Sequence, residues 1–118
     1  MNLTEMTHPA ILVLADRPAK TQTWRQLLLG MEEEGIPFVI NDRDHQDMPL
    51  ADRAHLASSV SPLAVGIAVG MEDIVVHDPH LPVSRPLFVL THYPSRTAEE
   101  IRRLGCNAAR LVKGLPFK

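Results

Sequence analysis

The sequence predicts an α/β fold: a mixed sheet of about five strands with helices on its faces. Three observations predict it. Short, continuously apolar runs alternate with segments of helical period, as in a sheet covered on both faces. A capping box at Thr97-Ala98-Glu99-Glu100 opens a final helix that Gly114 and Pro116 close. Two apolar runs lie close together on either side of Gly70-Met71-Glu72, a gap that suits a tight antiparallel hairpin.

The elements follow in order. Ala10 to Ala15 is apolar throughout and reads as a buried strand, followed by a loop through Asp16, Arg17 and Pro18. The first helix is expected from Thr23 to Glu34, because Trp24, Leu27, Leu28 and Met31 repeat at i, i+3, i+4 and i+7. Gly35-Ile36-Pro37 stop it, and Pro37 to Ile40 reads as the second strand. Asn41 to Met48 is polar and loop-like, and Leu50 to Ser59 reads as a second helix. Leu63 to Val69 and Asp73 to His77 make the hairpin. The proline-rich stretch Asp78 to Pro86 is a loop, and Leu87 to Thr91 is the fifth strand. In the final helix Ile101, Leu104, Ala108, Leu111 and Val112 form one apolar stripe.

Composition bounds the function. A chain of 118 residues, 45% hydrophobic and 22% charged, suits a single domain (residues 1–118) with its own core. A net charge of −2 gives nucleic acid no electrostatic footing, and 4% aromatic residues leave few stacking surfaces. No apolar run approaches the roughly 20 residues that span a bilayer, so no membrane is expected. The first residues carry no basic region and cleavage site of a secretion signal. One cysteine, Cys106, excludes an internal disulfide and fits a reducing cytoplasm.

One local rule is broken. Glu32-Glu33-Glu34 puts negative charge at the negative end of the first helix's dipole, at about 0.3–1 kcal/mol per exposed charge. At 100° per residue, Glu33 lies almost opposite the Trp24/Leu27/Leu28/Met31 stripe, with Gln26 and Leu29 near it. That side reads either as a solvated, charged helix end or as a partner contact. Other constellations are weaker. His77, Asp78 and His80, and separately Asp42, Asp44, His45 and Asp47, are ligand-type residues in loops, without a zinc signature or the glycine and distal glutamate of an EF-hand; they read as polar loop decoration. Cys106 reads as a buried inert thiol, and Ser61 lacks a nucleophile-elbow context. Gly66 and Gly70 form no phosphate-binding pattern. Arg102, Arg103, Arg110 and Lys113 make the last helix basic, which suits its dipole and could also serve as a docking edge for acidic groups. Catalysis by this chain alone has no support.

Four segments in order resemble the small subunit of diol/glycerol dehydratase reactivase. They are Leu28-Leu29-Gly30-Met31-Glu32-Glu33-Glu34-Gly35-Ile36-Pro37-Phe38, then Ser61-Pro62-Leu63-Ala64-Val65-Gly66-Ile67-Ala68, then Val76-His77 with Leu81-Pro82 and Pro86-Leu87-Phe88, and Asn107-Ala108-Ala109-Arg110-Leu111-Val112-Lys113-Gly114-Leu115-Pro116-Phe117. The resemblance runs from about residue 8 to the end; Asn41 to His55 and Asp78 to Arg85 carry no matching marker.

The resemblance implies a three-layer α/β/α sandwich and a non-catalytic role. The chain would be the small subunit of a chaperone-like, ATP-dependent factor that releases damaged cobalamin from inactivated diol or glycerol dehydratase by subunit exchange. Its partners would be a large ATPase subunit and dehydratase subunits. It would bind no cofactor alone; a divalent metal, Mg, and ATP or ADP belong to the large subunit. The family's central glutamate, matching Glu33, reaches across the interface to that metal, which makes Gln26, Leu29, Glu32 and Glu34 candidate partner-interface residues. A medium-type subunit of a cobalamin-dependent dehydratase shares the fold and is the alternative. The expected location is the cytoplasm, free or within a bacterial microcompartment.

Overall fold

The computed structural model describes Met6, residues 8–16 and residues 23–118. Its elements are β1 (Ile11–Ala15), α1 (Arg25–Glu33), β2 (Phe38–Asn41), α2 (Leu50–Val60), β3 (Gly66–Val69), β4 (Ile74–His77), β5 (Phe88–Leu90), a 3-10 turn at Tyr93–Ser95, and α3 (Ala98–Lys113). The strands form one sheet in the order β2-β1-β3-β4-β5. β1 is parallel to β2 and β3, while β4 is antiparallel to β3 and β5. The sheet is therefore mixed, as expected.

Alternation along β1 builds the layers. Ile11, Val13 and Ala15 face one side and pack with Trp24, Leu27 and Met31 of the α1 segment and Ile101, Leu104 and Ala108 of α3. Leu12 and Leu14 face the other side and pack with Ala57 of α2. The chain moves from β1 to β2 at one edge and returns past β1 to β3. Right-handed crossovers in opposite directions put their helices on opposite faces. α1 and α3 thus share one face and α2 covers the other, which is the three-layer sandwich.

The boundaries differ from expectation by more than one residue at two places. α1 starts at Arg25, not Thr23, with Trp24 at its N-cap and no side-chain cap bond. The third strand starts at Gly66, not Leu63. Ser61 takes over the intervening residues: its hydroxyl donates to the Ala10 carbonyl at 2.6 Å and accepts from the Leu63 N–H at 3.1 Å. A side chain that bonds the local backbone competes with strand pairing. The loop at Arg17 and Pro18 lies outside the described residues. The capping box formed as read, with Thr97 accepting from the Glu100 N–H and Gly114 ending α3 in the left-handed region.

α1 and α3 approach closely. A Cβ on Gly30 would lie 2.1 Å from the Arg102 carbonyl oxygen, and one on Gly105 would lie 2.0 Å from that of Leu27. Backbone meets backbone at both points, so no side-chain rotation relieves the overlap. Gly30→Ala and Gly105→Ala are each expected to destabilise the chain by about 1–3 kcal/mol through overpacking. Urea unfolding of the purified variants checks this; an unchanged midpoint in both would show that the helices tolerate separation.

Candidate interface site at the end of α1

Glycine-mediated packing brings α1 and α3 side by side in the same direction. Gln26 meets Arg102, Glu33 meets Cys106, and Glu34 meets Arg110 and Lys113. The C-terminal end of α1, where the three glutamates lie, therefore rests against the basic half of α3.

The three glutamates have three environments. Glu32 is exposed, and its side chain has no polar partner among the described residues. The Glu34 side chain is only 10% exposed and ringed by cations: Lys113 at 2.8 Å, Arg110 at 3.2 Å and Lys118 at 4.0 Å. Lys113 also donates to the Glu34 carbonyl oxygen at 2.9 Å, satisfying one acceptor that the helix end leaves open. The hydrogen bond from Lys113 holds the Glu34 carboxyl below its ordinary range; partial burial opposes this and Arg110 adds to it. The unfavourable dipole at α1 is thus offset within the chain, and two members of the basic set on α3 serve this acid.

Glu33 is exposed, and its Oε2 accepts from the Cys106 thiol at 3.2 Å. With Glu99, Arg102, Arg103, Cys106 and Lys118 it lines an open groove of about 240 Å³. Gln26, about two turns upstream on the same flank, is half-buried and accepts from Arg102 Nε at 3.1 Å and Nη2 at 2.8 Å. The helical wheel places both residues away from the stripe, yet this flank is not open solvent: α3 runs along it. A wheel contains only one helix, and the neighbour arrives from more than 70 residues away. Leu29 is half-buried beyond that contact.

Cys106 is 1% exposed. Burial pushes its thiol up from the ordinary range, the bond to Glu33 adds to this, and Lys118 opposes it. It is a poor nucleophile and a competent donor. No group of three metal-binding side chains exists among the described residues. Several of the remaining ligand-type residues are used locally. His77 is buried, accepts from the Asp78 N–H at 3.0 Å, and lies 3.2 Å from the Val83 carbonyl. Asp78 binds the N–H of His80 at 2.8 Å. Asn41 accepts from the Arg43 and Asp44 N–H groups. A contact with no sequence signal is the nearly buried Arg53, which pairs with Asp16 at the end of β1 and donates to the carbonyls of Gln46 and Met48.

The family described as dehydratase medium subunit matches residues 8–118. The propanediol dehydratase-reactivating factor small subunit of Citrobacter freundii is 47% identical over 98% of this chain and 95% of its own length. The diol dehydratase-reactivating factor small subunit of Klebsiella michiganensis is 50% identical over 80% of this chain and 73% of its own. Among solved structures, a chain from the diol dehydratase-reactivating factor complexed with ADP and Mg2+ matches with a TM-score of 0.85 and 43% identity, over 95% of this chain and 99% of that one.

The ion cluster at Glu34 has a pH signature. Its carboxyl titrates lower in the folded chain than its ordinary value of 4.5. The stability it contributes is therefore full above that value and is lost as pH falls through the lower, folded one. Wild type and Glu34→Gln are expected to differ most near neutrality and to converge in strong acid. Denaturant midpoints measured from pH 7 down to about 3 check this; parallel curves would contradict the assigned cluster.

Proposed function

This chain belongs to the dehydratase medium subunit family, as a small subunit of the dehydratase-reactivating factors, and on that premise we propose that it acts by subunit exchange. In this reading it pairs with a large ATPase subunit and then trades places with the medium subunit of an inactivated diol or glycerol dehydratase. The exchange loosens the dehydratase so that damaged cobalamin leaves. The observation that carries the reading is the near end-to-end match to small subunits of reactivating factors. A chain that shares its family with a medium subunit presents a similar surface and can compete for the same seat. Exchange needs a bias between the two seats, and nucleotide turnover on the large subunit supplies it if one nucleotide state binds this chain better than the other.

Glu33 is the contact that would couple this chain to the nucleotide site. The related complex contains ADP and Mg2+. Glu33 fits a shared cation: it is exposed, carries a carboxylate at the end of a helix, and is paired with no cation among the described residues. Magnesium would supply a charge that draws carboxylates of two chains together. Gln26, Leu29, Glu32 and Glu34 would flank the contact. Gln26 and Glu34 would do so from positions already fixed by Arg102 and by Arg110 and Lys113. The chain itself would do no chemistry. It would work in the cytoplasm, free or inside a bacterial microcompartment.

The dehydratase medium-subunit reading rests on the family description alone. Tight cobalamin binding by this chain with a dehydratase large subunit, followed by absorbance, would favour it instead.

Two measurements check the proposal. Affinity capture of the tagged chain from its native cells is expected to retain a large ATPase subunit; retention of neither that subunit nor a dehydratase would sink the exchange model. Glu33→Ala is expected to leave the fold intact and to weaken the magnesium-dependent part of large-subunit binding by about tenfold, on the order of 1.4 kcal/mol. Complex formation with unchanged metal dependence would remove Glu33 from the metal.

A further inference from the structure

Glu33 sits among cations without pairing with any of them. Arg102, Arg103 and Lys118 line its groove, yet no ion pair joins Glu33 to a cation among the described residues. Arg102 is drawn off by Gln26. Lys118 is turned toward Glu34 at 4.0 Å, and its own backbone N–H donates to Asn107 at 2.8 Å. Among the described residues, the one bond that the Glu33 side chain receives comes from a neutral group, the Cys106 thiol. That thiol has an ammonium behind it: Lys118 Nζ lies 3.8 Å from the sulfur.

This arrangement suits an acid that must be aimed without being neutralised. A guanidinium on the same oxygen would orient Glu33 equally well, but it would compete with any incoming cation. A thiol is a weak donor. It fixes one oxygen and leaves the carboxylate its full charge. Its backbone is held by the middle of α3, so the donor does not wander. The second oxygen, Oε1, has no partner among the described residues and is the one left to a ligand.

We infer that Cys106, with Lys118 behind it, is a positioning residue that aims Glu33 at a divalent cation shared with the large subunit. The inference rests on the proposed role of Glu33 and adds the group that orients it. It also gives the buried thiol a task that packing alone does not. Metal-binding carboxylates are commonly held by such outer hydrogen bonds, and losing one costs about 10–100-fold in metal affinity.

The test uses the complex reconstituted with the large subunit and titrated with Mg2+. Cys106→Ala is expected to raise the half-saturating Mg2+ concentration about tenfold, and Cys106→Ser, which keeps a donor, to recover most of it. A purely structural cysteine would behave otherwise: both variants would lower the melting temperature and neither would move the Mg2+ midpoint. If Glu33→Ala shifts the midpoint and Cys106→Ala does not, the positioning role is overturned while the role of Glu33 stands. If Glu33→Ala shifts nothing, both fail together. A spectroscopic readout on the chain alone covers variants that assemble poorly. The infrared S–H stretch of Cys106 is expected at a hydrogen-bonded frequency in the wild type and to rise in Glu33→Ala; an identical band in the two would overturn the inference.

Discussion

The close approach of α1 to α3 governs the rest of this surface. Gly30 and Gly105 let each helix lay backbone against the other, at distances that no Cβ permits. Each glycine costs about 1 kcal/mol of helix propensity relative to alanine. The return is position. At this separation, side chains at the same level meet in fixed pairs: Gln26 with Arg102, Glu33 with Cys106, Glu34 with Arg110 and Lys113. Separate the helices by the width of a methyl group and every one of those contacts lengthens.

That packing resolves the acidic run at the end of α1. Three consecutive glutamates there look like an accumulated dipole penalty. Successive residues turn through 100°, so three neighbours cannot share one environment. Glu34 turns toward α3 and is neutralised by it, Glu32 turns to solvent, and Glu33 falls between, exposed yet anchored. Only Glu33 combines a free oxygen, a held oxygen and an unspent charge. The basic residues of α3 likewise divide. Arg110 and Lys113 serve Glu34, Arg102 serves Gln26, and Arg103 remains exposed in the groove.

The fold was legible in the sequence wherever the signal was local. The β3–β4 hairpin, the capping box at Thr97 and the apolar run of β1 each depend on residues within a few positions of one another, and each formed as read. The first turn of α1 was misplaced because Trp24 satisfies the apolar period while serving as the cap. The start of β3 was misplaced because the Ser61 hydroxyl, anchored on the Ala10 carbonyl just before β1, takes the Leu63 N–H. At the site, the exposure of Glu33 was readable from the wheel, but its contact with Cys106 was not. That contact joins residues 73 positions apart, and no periodicity within one helix encodes it. The available clue was a glycine in the middle of each helix, a pair of costs that make sense only together. The Asp16–Arg53 pair carried no clue of any kind.

Function in this picture is a matter of surface competition. Under the proposed exchange, this chain would react with nothing itself; it would hold one side of an interface and release it. A carboxylate aimed by a neutral thiol suits that task, because its charge is strong enough to join a shared cation and is not bound up in its own chain. The most direct measurement is a crystal structure of the two-subunit complex grown with Mn2+ in place of Mg2+, with the metal located by anomalous scattering. A peak within about 2.0–2.3 Å of Glu33 Oε1, with Oε2 still on Cys106, is the expected result. A metal peak with no atom of this chain in coordination range would contradict it.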